Sequence, residues 1–254
     1  MLVVKGATML RVWDGAVARP TRDIDFLGRL GNSPEAVEEA VRACLKMELP
    51  EDGLVFEEYV ASEQIMVDGR YPGISLKIRG ELDGARFVLR LDVGVDDTMV
   101  PEPEWLEYPT MLEGPRPRIL CYHTATVVAE KFEAMVSLGL VNSRMKDFYD
   151  IWMLATTQVF EGEDLRRAIL ATFAKRGTPL PATPPVALTE EFFGQERTTK
   201  MWNTYAHRLR AANIQAPETL AEVADVIITF VMPAVYAGED AALSKSWTPS
   251  GGWQ

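Results

Sequence analysis

The feature that most constrains the fold is a stretch of alternating residues between Ile74 and Val95. Ile74–Ile78 and Phe87–Val95 each alternate apolar and polar residues, as strands with one buried face do. The sequence RGELDGA between them supplies turn residues, so we predict an antiparallel hairpin. Asp92 falls on the polar face of the second strand. An acid inside such a strand costs free energy unless it is paired or binds a metal ion.

A pair of aspartates lies in the sequence TRDID, where Asp23 and Asp25 flank Ile24. Residues two apart in a strand point to the same side, so the two carboxylates share a face and Ile24 faces the core. Close carboxylates repel each other, and a divalent cation between them removes that cost. If the strand of Asp92 is adjacent, three carboxylates converge on Mg²⁺ or Mn²⁺. The alternatives are solvated turn residues for the pair and a salt bridge to arginine for Asp92.

The second half of the chain has the pattern of a helical domain. The predicted helices are Thr124–Leu138 with Gly139 as stop signal, a helix capped by Ser143, Asp164–Lys175, about 195–212 and about 218–236. We therefore divide the chain into a mixed α/β domain at 1–120, a helical domain at 121–238 and a flexible tail at 239–254.

Three charged positions of the helical half are candidates for a site. Lys131 lies at the edge of the apolar face of its helix, where its compact charge suits a triphosphate. The alternative for Lys131 is a surface ion pair with a glutamate of the same helix. Asp147 and Asp150 are three residues apart on the next helix, and they either orient Lys131 and a nucleotide or belong to an ordinary solvated turn.

Composition limits the other chemistry. With two histidines and no CxxC sequence, the composition argues against a His-rich metal site and a Ser-His-Asp triad, and oxygen ligands are expected for any metal. Cys44 and Cys121 are expected to be reduced thiols. No run of about 18 apolar residues predicts a membrane span. The N-terminus has no charged leader before an apolar stretch, so we expect a cytoplasmic protein.

The net charge of −11 argues against wide, non-specific binding to nucleic acid. Two predicted helices nevertheless concentrate basic residues, which would favour RNA if they lie beside a cleft. These residues are Arg166, Arg167, Lys175 and Arg176 on one helix, and Arg197, Lys200, Arg208 and Arg210 on the other.

Several ordered motifs together resemble the AbiEii/MenT nucleotidyltransferase toxins of the DNA polymerase β-like nucleotidyltransferase superfamily. The motifs, between Val3 and Leu154, are VVKGATMLRVW, RPTRDIDFLGR, LDVGVDD, TVVAEKFEAMVSLG and NSRMKDFYDIW. The resemblance implies an α/β (α+β) fold: a nucleotidyltransferase domain with a twisted mixed sheet, followed by a mostly helical domain in a bilobed monomer. It also implies Mg²⁺- or Mn²⁺-dependent transfer of a nucleoside monophosphate from an NTP to the 3′ end of tRNA, which blocks translation, and a cognate antitoxin.

The resemblance further implies roles for individual residues. The metal ligands are Asp23, Asp25 and Asp92, the catalytic positions are Asp23, Thr21, Lys131 and Asp147, and the nucleotide contacts are Lys5, Gly6 and Arg22. Gly6-Ala7 stands where the superfamily often has Gly-Gly or Gly-Ser. Relatives usually carry a helical segment before the KGA motif, so we expect a late start or a missing layer here.

Other functions fit the same residues. A nucleotide could be transferred to a protein hydroxyl or a small molecule, or the chain could be a nucleotide-binding module without catalysis. A haloacid dehalogenase-type phosphatase does not fit, because Leu27 stands where that class has threonine. A metal-dependent glycosyltransferase does not fit either, because no nucleotide-binding α/β unit precedes the aspartates.

Overall fold

The computed structural model describes residues 1–14, 19–21, 23–28, 34–47, 53–67, 71–95, 97–110, 114–236 and 245–254. Arg22, a predicted nucleotide contact, lies outside the described residues. The chain forms two compact units. The first comprises Met1–Gly15, Pro20–Asp97 and Glu104–Cys121, and the second comprises Ala16–Arg19, Thr98–Pro103 and Tyr122–Gln254.

The first unit is built on a mixed seven-stranded sheet with the order β3-β4-β5-β2-β1-β7-β6. Its strands are β1 (Leu2–Lys5), β2 (Asp23–Gly28), β3 (Leu54–Val67), β4 (Tyr71–Leu82), β5 (Ala85–Val95), β6 (Glu104–Glu107) and β7 (Arg118–Cys121). β2 is parallel to β5 and β1 is parallel to β7, whereas the other neighbours are antiparallel. The predicted hairpin is confirmed as β4 and β5, which pair from Gly73–Gly94 to Leu82–Ala85.

Two helices accompany this sheet, α1 (Leu10–Asp14), which follows a 3-10 turn at Gly6–Met9, and α2 (Pro34–Leu45). Val37 and Val41 of α2 belong to one apolar cluster with the buried side chains of β4 and β5. Ile24 packs against the same cluster, as the alternation around it predicts. Because strand side chains alternate, Ser75 and Asp92 lie on the opposite face, which also contains the buried Val3 and Leu27.

The second unit is mainly helical, with Pro233 inside its last helix. Its elements are α3 (Thr124–Leu138), α4 (Met145–Thr157), β8 (Phe160–Glu161), α5 (Gly162–Arg176), α6 (Glu190–Phe193), α7 (Glu196–Ala211), α8 (Leu220–Tyr236), β9 (Ser246–Thr248) and β10 (Gly252–Trp253). The mixed α/β fold class is thereby confirmed.

Two glycines end helices of this unit where a positive φ is needed. Gly139 after α3 has φ +51° and Gly177 after α5 has φ +65°, a region that residues with a Cβ adopt at a cost. The predicted cap at Ser143 is wrong, since Arg144 is the N-cap residue of α4 and has no side-chain cap. The side chain of Asn142 instead accepts a hydrogen bond from the backbone N–H of Arg144, at 2.8 Å.

The end of the chain corrects the predicted flexible tail, of which residues 245–254 are described. β9 and β10 form a hairpin, and β9 also pairs with β8. The Trp247 side chain is 6% exposed, packs against Phe230 and donates from its indole N–H to the carbonyl of Ala155, at 2.7 Å. Glycine and serine around the turn suggested a loose segment, but two tryptophans anchor it to the helices.

Across the described ranges, none of the helices has the length and hydropathy to cross a membrane.

Truncating Trp247 tests whether the hairpin belongs to the folded core of the second unit. We expect Trp247→Ala to lower the free energy of unfolding by about 3–5 kcal/mol, because a large buried ring and its hydrogen bond are lost. Urea unfolding followed by circular dichroism measures this loss. The exposed Trp105, which is 60% accessible, provides the matched control Trp105→Ala. Equal small losses in both variants would contradict a structural role for the hairpin.

Candidate active site

The polar face of the sheet carries a row of charged and hydroxyl residues. Lys5 of β1 is the register partner of Asp25, and Asp25 is the partner of Asp92 on the parallel strand β5. Ser75 of β4 follows Asp92 in the same row, and its hydroxyl donates to the Asp92 carboxylate at 2.6 Å. The predicted adjacency of the two aspartate strands is confirmed. The alternative salt bridge is replaced by this hydrogen bond from Ser75.

Asp23 lies on the same face, two residues before Asp25 along β2. Its register partner is Arg90, whose Nε lies 4.0 Å from the Asp23 carboxylate. Both side chains are well exposed, at 41% for Asp23 and 45% for Arg90. Solvent screens such a pair, so it contributes little to stability and leaves the Asp23 carboxylate accessible.

Gly6 provides space beside the Asp25 carboxylate. A Cβ added at Gly6 would lie 2.9 Å from the Asp25 Cγ, which is closer than real Cβ contacts come. Gly6 also has φ +70°, a conformation that L-residues adopt only with strain. The predicted small residue is therefore required at this position for both sterics and backbone conformation.

The remaining predicted residues of this unit lie nearby in sequence. Thr21 is exposed, and its hydroxyl donates to the backbone carbonyl of Asp23 at 3.1 Å. This bond fixes the entry to β2. Lys5 is half-buried and lies at the end of β1, directly before Gly6.

The carboxylates do not by themselves form a complete metal cage. Within the described part of the chain, no three His, Cys, Asp or Glu side chains are grouped to hold a metal ion. Mg²⁺ in nucleotide enzymes is usually bound by one or two carboxylates, with substrate phosphates and water completing the octahedron. The carboxylate oxygens of Asp23, Asp25 and Asp92 are ligands of the type that Mg²⁺ prefers. Because Gly6 has no side chain, only its backbone lies beside the Asp25 carboxylate.

The second unit contains a buried network of five charges. Lys131 of α3 donates to Asp147 at 2.8 Å and lies 2.8 Å from a carboxylate oxygen of Asp150, both on α4. Arg19 donates to both oxygens of Asp150, at 2.6 and 2.7 Å, and Arg144 pairs with Asp147. Three cations thus meet two carboxylates, and the group carries one excess positive charge. Lys131 is 10% exposed and the two carboxylates are almost fully buried.

Mutual attraction overcomes the cost of burying these charges. Burial raises the pKa of Asp147, but the nearby Lys131 and Arg144 outweigh it and lower the pKa to about 2. Burial acts in the same direction on Asp150, and Lys131 and Arg19 bring its pKa below the ordinary value. Burial lowers the pKa of Lys131, yet both aspartates reverse that effect and raise it. All three groups are therefore charged at neutral pH.

This network contradicts the surface ion pair considered for Lys131 and adds Arg19 to the charged group. Lys131 is not a surface partner of a glutamate of its own helix. Glu133 of α3, which is fully buried, pairs with Arg176 at 2.8 Å instead. Arg19 was missed because it lies over a hundred residues from Asp150 in sequence. The sequence did contain a signal for such a partner. Asp150 falls on the buried side of α4, and a buried carboxylate needs a cation.

The basic residues of α5 do not form a surface for RNA. The side chain of Arg176 is 2% exposed and that of Arg166 is 6% exposed, and both are engaged with glutamates. Only Arg167 and Lys175 of that predicted group are exposed. The helical spacing alone could not separate internal ion pairs from a solvent-facing basic stripe.

Comparison with solved structures relates the fold to proteins of Helicobacter pylori. JHP933 from that organism matches with a TM-score of 0.52 and 14% identity, over 92% of this chain and 83% of JHP933. A candidate nucleotidyltransferase from H. pylori matches with a TM-score of 0.49 and 14% identity, over 92% of this chain and 86% of that protein. At this identity JHP933 shows a shared fold only. No curated protein matches the chain.

The family match defines the class of the protein. A nucleotidyltransferase sequence profile matches residues 1–225, which include both charged groups described above. The chain is thus a member of the nucleotidyltransferases. That profile is the one for the nucleotidyl transferase AbiEii toxin of type IV toxin–antitoxin systems, and the chain belongs to this family.

Replacing Gly6 by alanine separates backbone strain from crowding of Asp25. Gly177 is the matched control, because its φ is +65° and an added Cβ meets nothing within 4 Å. We expect Gly177→Ala to cost about 1–2 kcal/mol of unfolding free energy from the left-handed backbone. Gly6→Ala should cost more, because the methyl group also displaces the Asp25 carboxylate. Urea unfolding of both variants measures the difference, and equal costs would contradict the crowding.

Removing the charge of Lys131 tests the buried network. Lys131→Met leaves two buried carboxylates short of a cation, so we expect a loss of about 3–5 kcal/mol of unfolding free energy. In the wild type, the lowered pKa of Asp147 gives stability that is present above pH 4 and lost as pH falls towards about 2. The variant should lose less stability on acidification, because the pKa of Asp147 then rises.

Unfolding by urea at pH 7 and at pH 3 measures both effects. The conservative variant Lys131→Arg retains the charge and should keep the acid dependence of the wild type. A Lys131→Met protein with unchanged stability at pH 7 would show that the network does not hold α3 and α4 together.

Proposed function

We propose that this AbiEii-family protein transfers a nucleoside monophosphate from an NTP to an RNA acceptor, with the 3′ end of tRNA as the target. Pyrophosphate is the second product, and translation stops because the modified end cannot accept an amino acid. The observation that carries the proposal is the register that aligns Asp25 with Asp92 and leaves Asp23 accessible on the same face. Family membership supports the reaction class.

Asp23, Asp25 and Asp92 are the residues that would hold Mg²⁺ or Mn²⁺. When bound, the ion supplies charge neutralisation for the triphosphate and for the leaving pyrophosphate. Without a cation these carboxylates would repel both each other and the NTP. Lys5, next to Gly6, adds one positive charge to the same row of the sheet.

The reaction needs an acceptor hydroxyl in line with the leaving group. The hydroxyl oxygen forms a bond to the α-phosphorus, the bond from that phosphorus to the bridging oxygen breaks, and pyrophosphate takes the electron pair. The hydroxyl proton passes to a carboxylate of the polar face, and Asp23 is the exposed candidate. Positioning and charge supply most of the rate increase in such transfers.

The fixed geometry of the buried network around Lys131 supports a second contribution to the same reaction, the binding of the triphosphate. We assign Lys131 and Asp147 to the binding of the triphosphate. Asp150 and Arg19 are positioning residues. The bidentate Arg19–Asp150 pair and the shared Lys131 hold α3 and α4 in one arrangement, so the positive charge is preorganised. Preorganised charge needs no rearrangement when a triphosphate binds.

A second candidate function keeps the reaction and changes the acceptor. The burial of Arg166 and Arg176 removes part of the basic surface that an RNA would contact, and the net charge is −11. These observations favour a protein hydroxyl or a small molecule as acceptor. A nucleotide-binding module without catalysis is the remaining possibility. As a type IV family toxin, the protein would also have a cognate antitoxin.

A transfer assay with labelled nucleotides tests the proposal. Purified protein is incubated with Mg²⁺, total tRNA and each labelled NTP in turn, and the label on tRNA is measured. We expect Asp23→Asn to lower the rate by at least about 100-fold, the size of effect seen when one charge-stabilising group is lost. The melting temperature should change by less than a few degrees, because the Asp23 side chain is exposed.

Asp225→Asn is the matched control, because Asp225 is an exposed aspartate of α8. This variant should transfer label at the wild-type rate. Label on protein or on small molecules, with none on tRNA, would move the acceptor to the second candidate. Nucleotide binding without any release of pyrophosphate would identify a binding module, and full activity of Asp23→Asn would contradict the assigned site.

A further inference from the structure

The second unit contains a cavity that the reaction described above does not use. It lies between the start of α4 and the middle of α7 and has a volume of about 550 Å³. This volume is within the range of about 300–1,000 Å³ that small-molecule sites occupy. The residues that line it are Ser143, Arg144, Met145, Lys146, Lys200, Met201, Thr204, Tyr205 and Arg208.

The lining is strongly cationic. Four of the nine residues are arginine or lysine, and no acidic residue is among them. Lys146 and Arg208 are exposed and form no ion pair with any residue in the described ranges. Lys200 pairs at 2.6 Å with Glu196, but both side chains are more than 70% exposed, so solvent weakens the pair. Arg144 is paired with Asp147, so the positive charge that the described residues do not neutralise comes from Lys146 and Arg208.

The rest of the lining suits a flat apolar group. Met145, Met201 and the Tyr205 ring contribute apolar surface, together with the aliphatic stems of the basic side chains. The Tyr205 ring is itself held by contacts with Tyr149 and Trp202, at centroid distances of 6.0 and 6.1 Å. An immobilised aromatic ring beside cations is the combination on which single-stranded nucleic acids bind, by stacking and phosphate contacts.

We propose that this cavity binds one nucleotide of the acceptor RNA, with its phosphate against Lys146, Lys200 and Arg208 and its base against Met201 and Tyr205. The inference rests on the proposed function for the identity of the RNA. The new element is the place where the acceptor RNA is held. The carboxylates Asp23, Asp25 and Asp92 do not specify that place.

The absence of acids from the lining separates RNA from the other phosphate-bearing candidate, the NTP. A triphosphate binds with Mg²⁺, which protein sites hold through at least one carboxylate. The described lining of this cavity offers none. A phosphodiester carries a single charge for each nucleotide and needs only cations, so the cavity suits a strand of RNA.

A binding experiment without NTP or metal tests the inference separately from transfer. The affinity of fluorescently labelled tRNA is measured by anisotropy at several salt concentrations, for the wild type and for Lys146→Gln/Arg208→Gln. We expect binding to weaken at least about 10-fold and the salt slope to fall by about 1–2, because two phosphate contacts are lost. The matched control Arg86→Gln/Arg167→Gln removes two exposed cations outside the cavity and should bind as the wild type does.

Each other outcome overturns the inference. Wild-type affinity in the cavity variant, or equal weakening in the control, would show that binding is general electrostatics. Retained tRNA affinity, together with a loss of NTP affinity measured for the same variant in a separate titration with labelled NTP, would make the cavity a nucleotide site. If the wild type binds no tRNA, the cavity is not an RNA site. Label transfer to another acceptor in the transfer assay would still establish the nucleotidyltransferase activity.

Discussion

The parallel register between β2 and β5 determines what each face of the sheet can do. It aligns Ile24 with Leu91 and Phe26 with Val93 on one face, where they pack with α2. The same register necessarily aligns Asp25 with Asp92 on the opposite face. A shift by one residue would bury the carboxylates and expose the core, so apolar packing fixes the positions of the acids. The packing that buries the apolar face therefore also fixes the positions of Asp25 and Asp92 on the other face.

The two charged groups of the protein are built on opposite physical principles. On the sheet, the Asp23 side chain is exposed and its pair with Arg90 is long, so this carboxylate remains available to a ligand. The charges around Lys131 are buried and satisfy one another, and their geometry is fixed by several short hydrogen bonds. The first group is therefore distinguished by the accessibility of Asp23, and the second by its fixed geometry.

Much of this arrangement could be predicted from sequence, because local patterns carry it. Alternation predicted the β4–β5 hairpin and the side on which Asp92 lies, and the i, i+2 spacing predicted the shared face of Asp23 and Asp25. Long-range pairing could not be predicted in the same way. Arg19 reaches Asp150 across the chain, and Arg176, which the sequence grouped with basic residues of one helix, is buried against Glu133. The C-terminal hairpin was missed because its glycines suggested a loose segment, whereas Trp247 and Trp253 pack against α8.

The buried charges also restrict how the sequence can change over generations. Lys131, Asp147 and Asp150 satisfy one another, so replacing any one of them leaves an uncompensated charge in the interior. Replacing all three by apolar residues would also remove the carboxylates with which Arg19 and Arg144 pair, so changes at these positions alone reach no well-satisfied interior. The three positions should therefore be inherited together among descendants, as a unit that drift cannot dismantle one residue at a time.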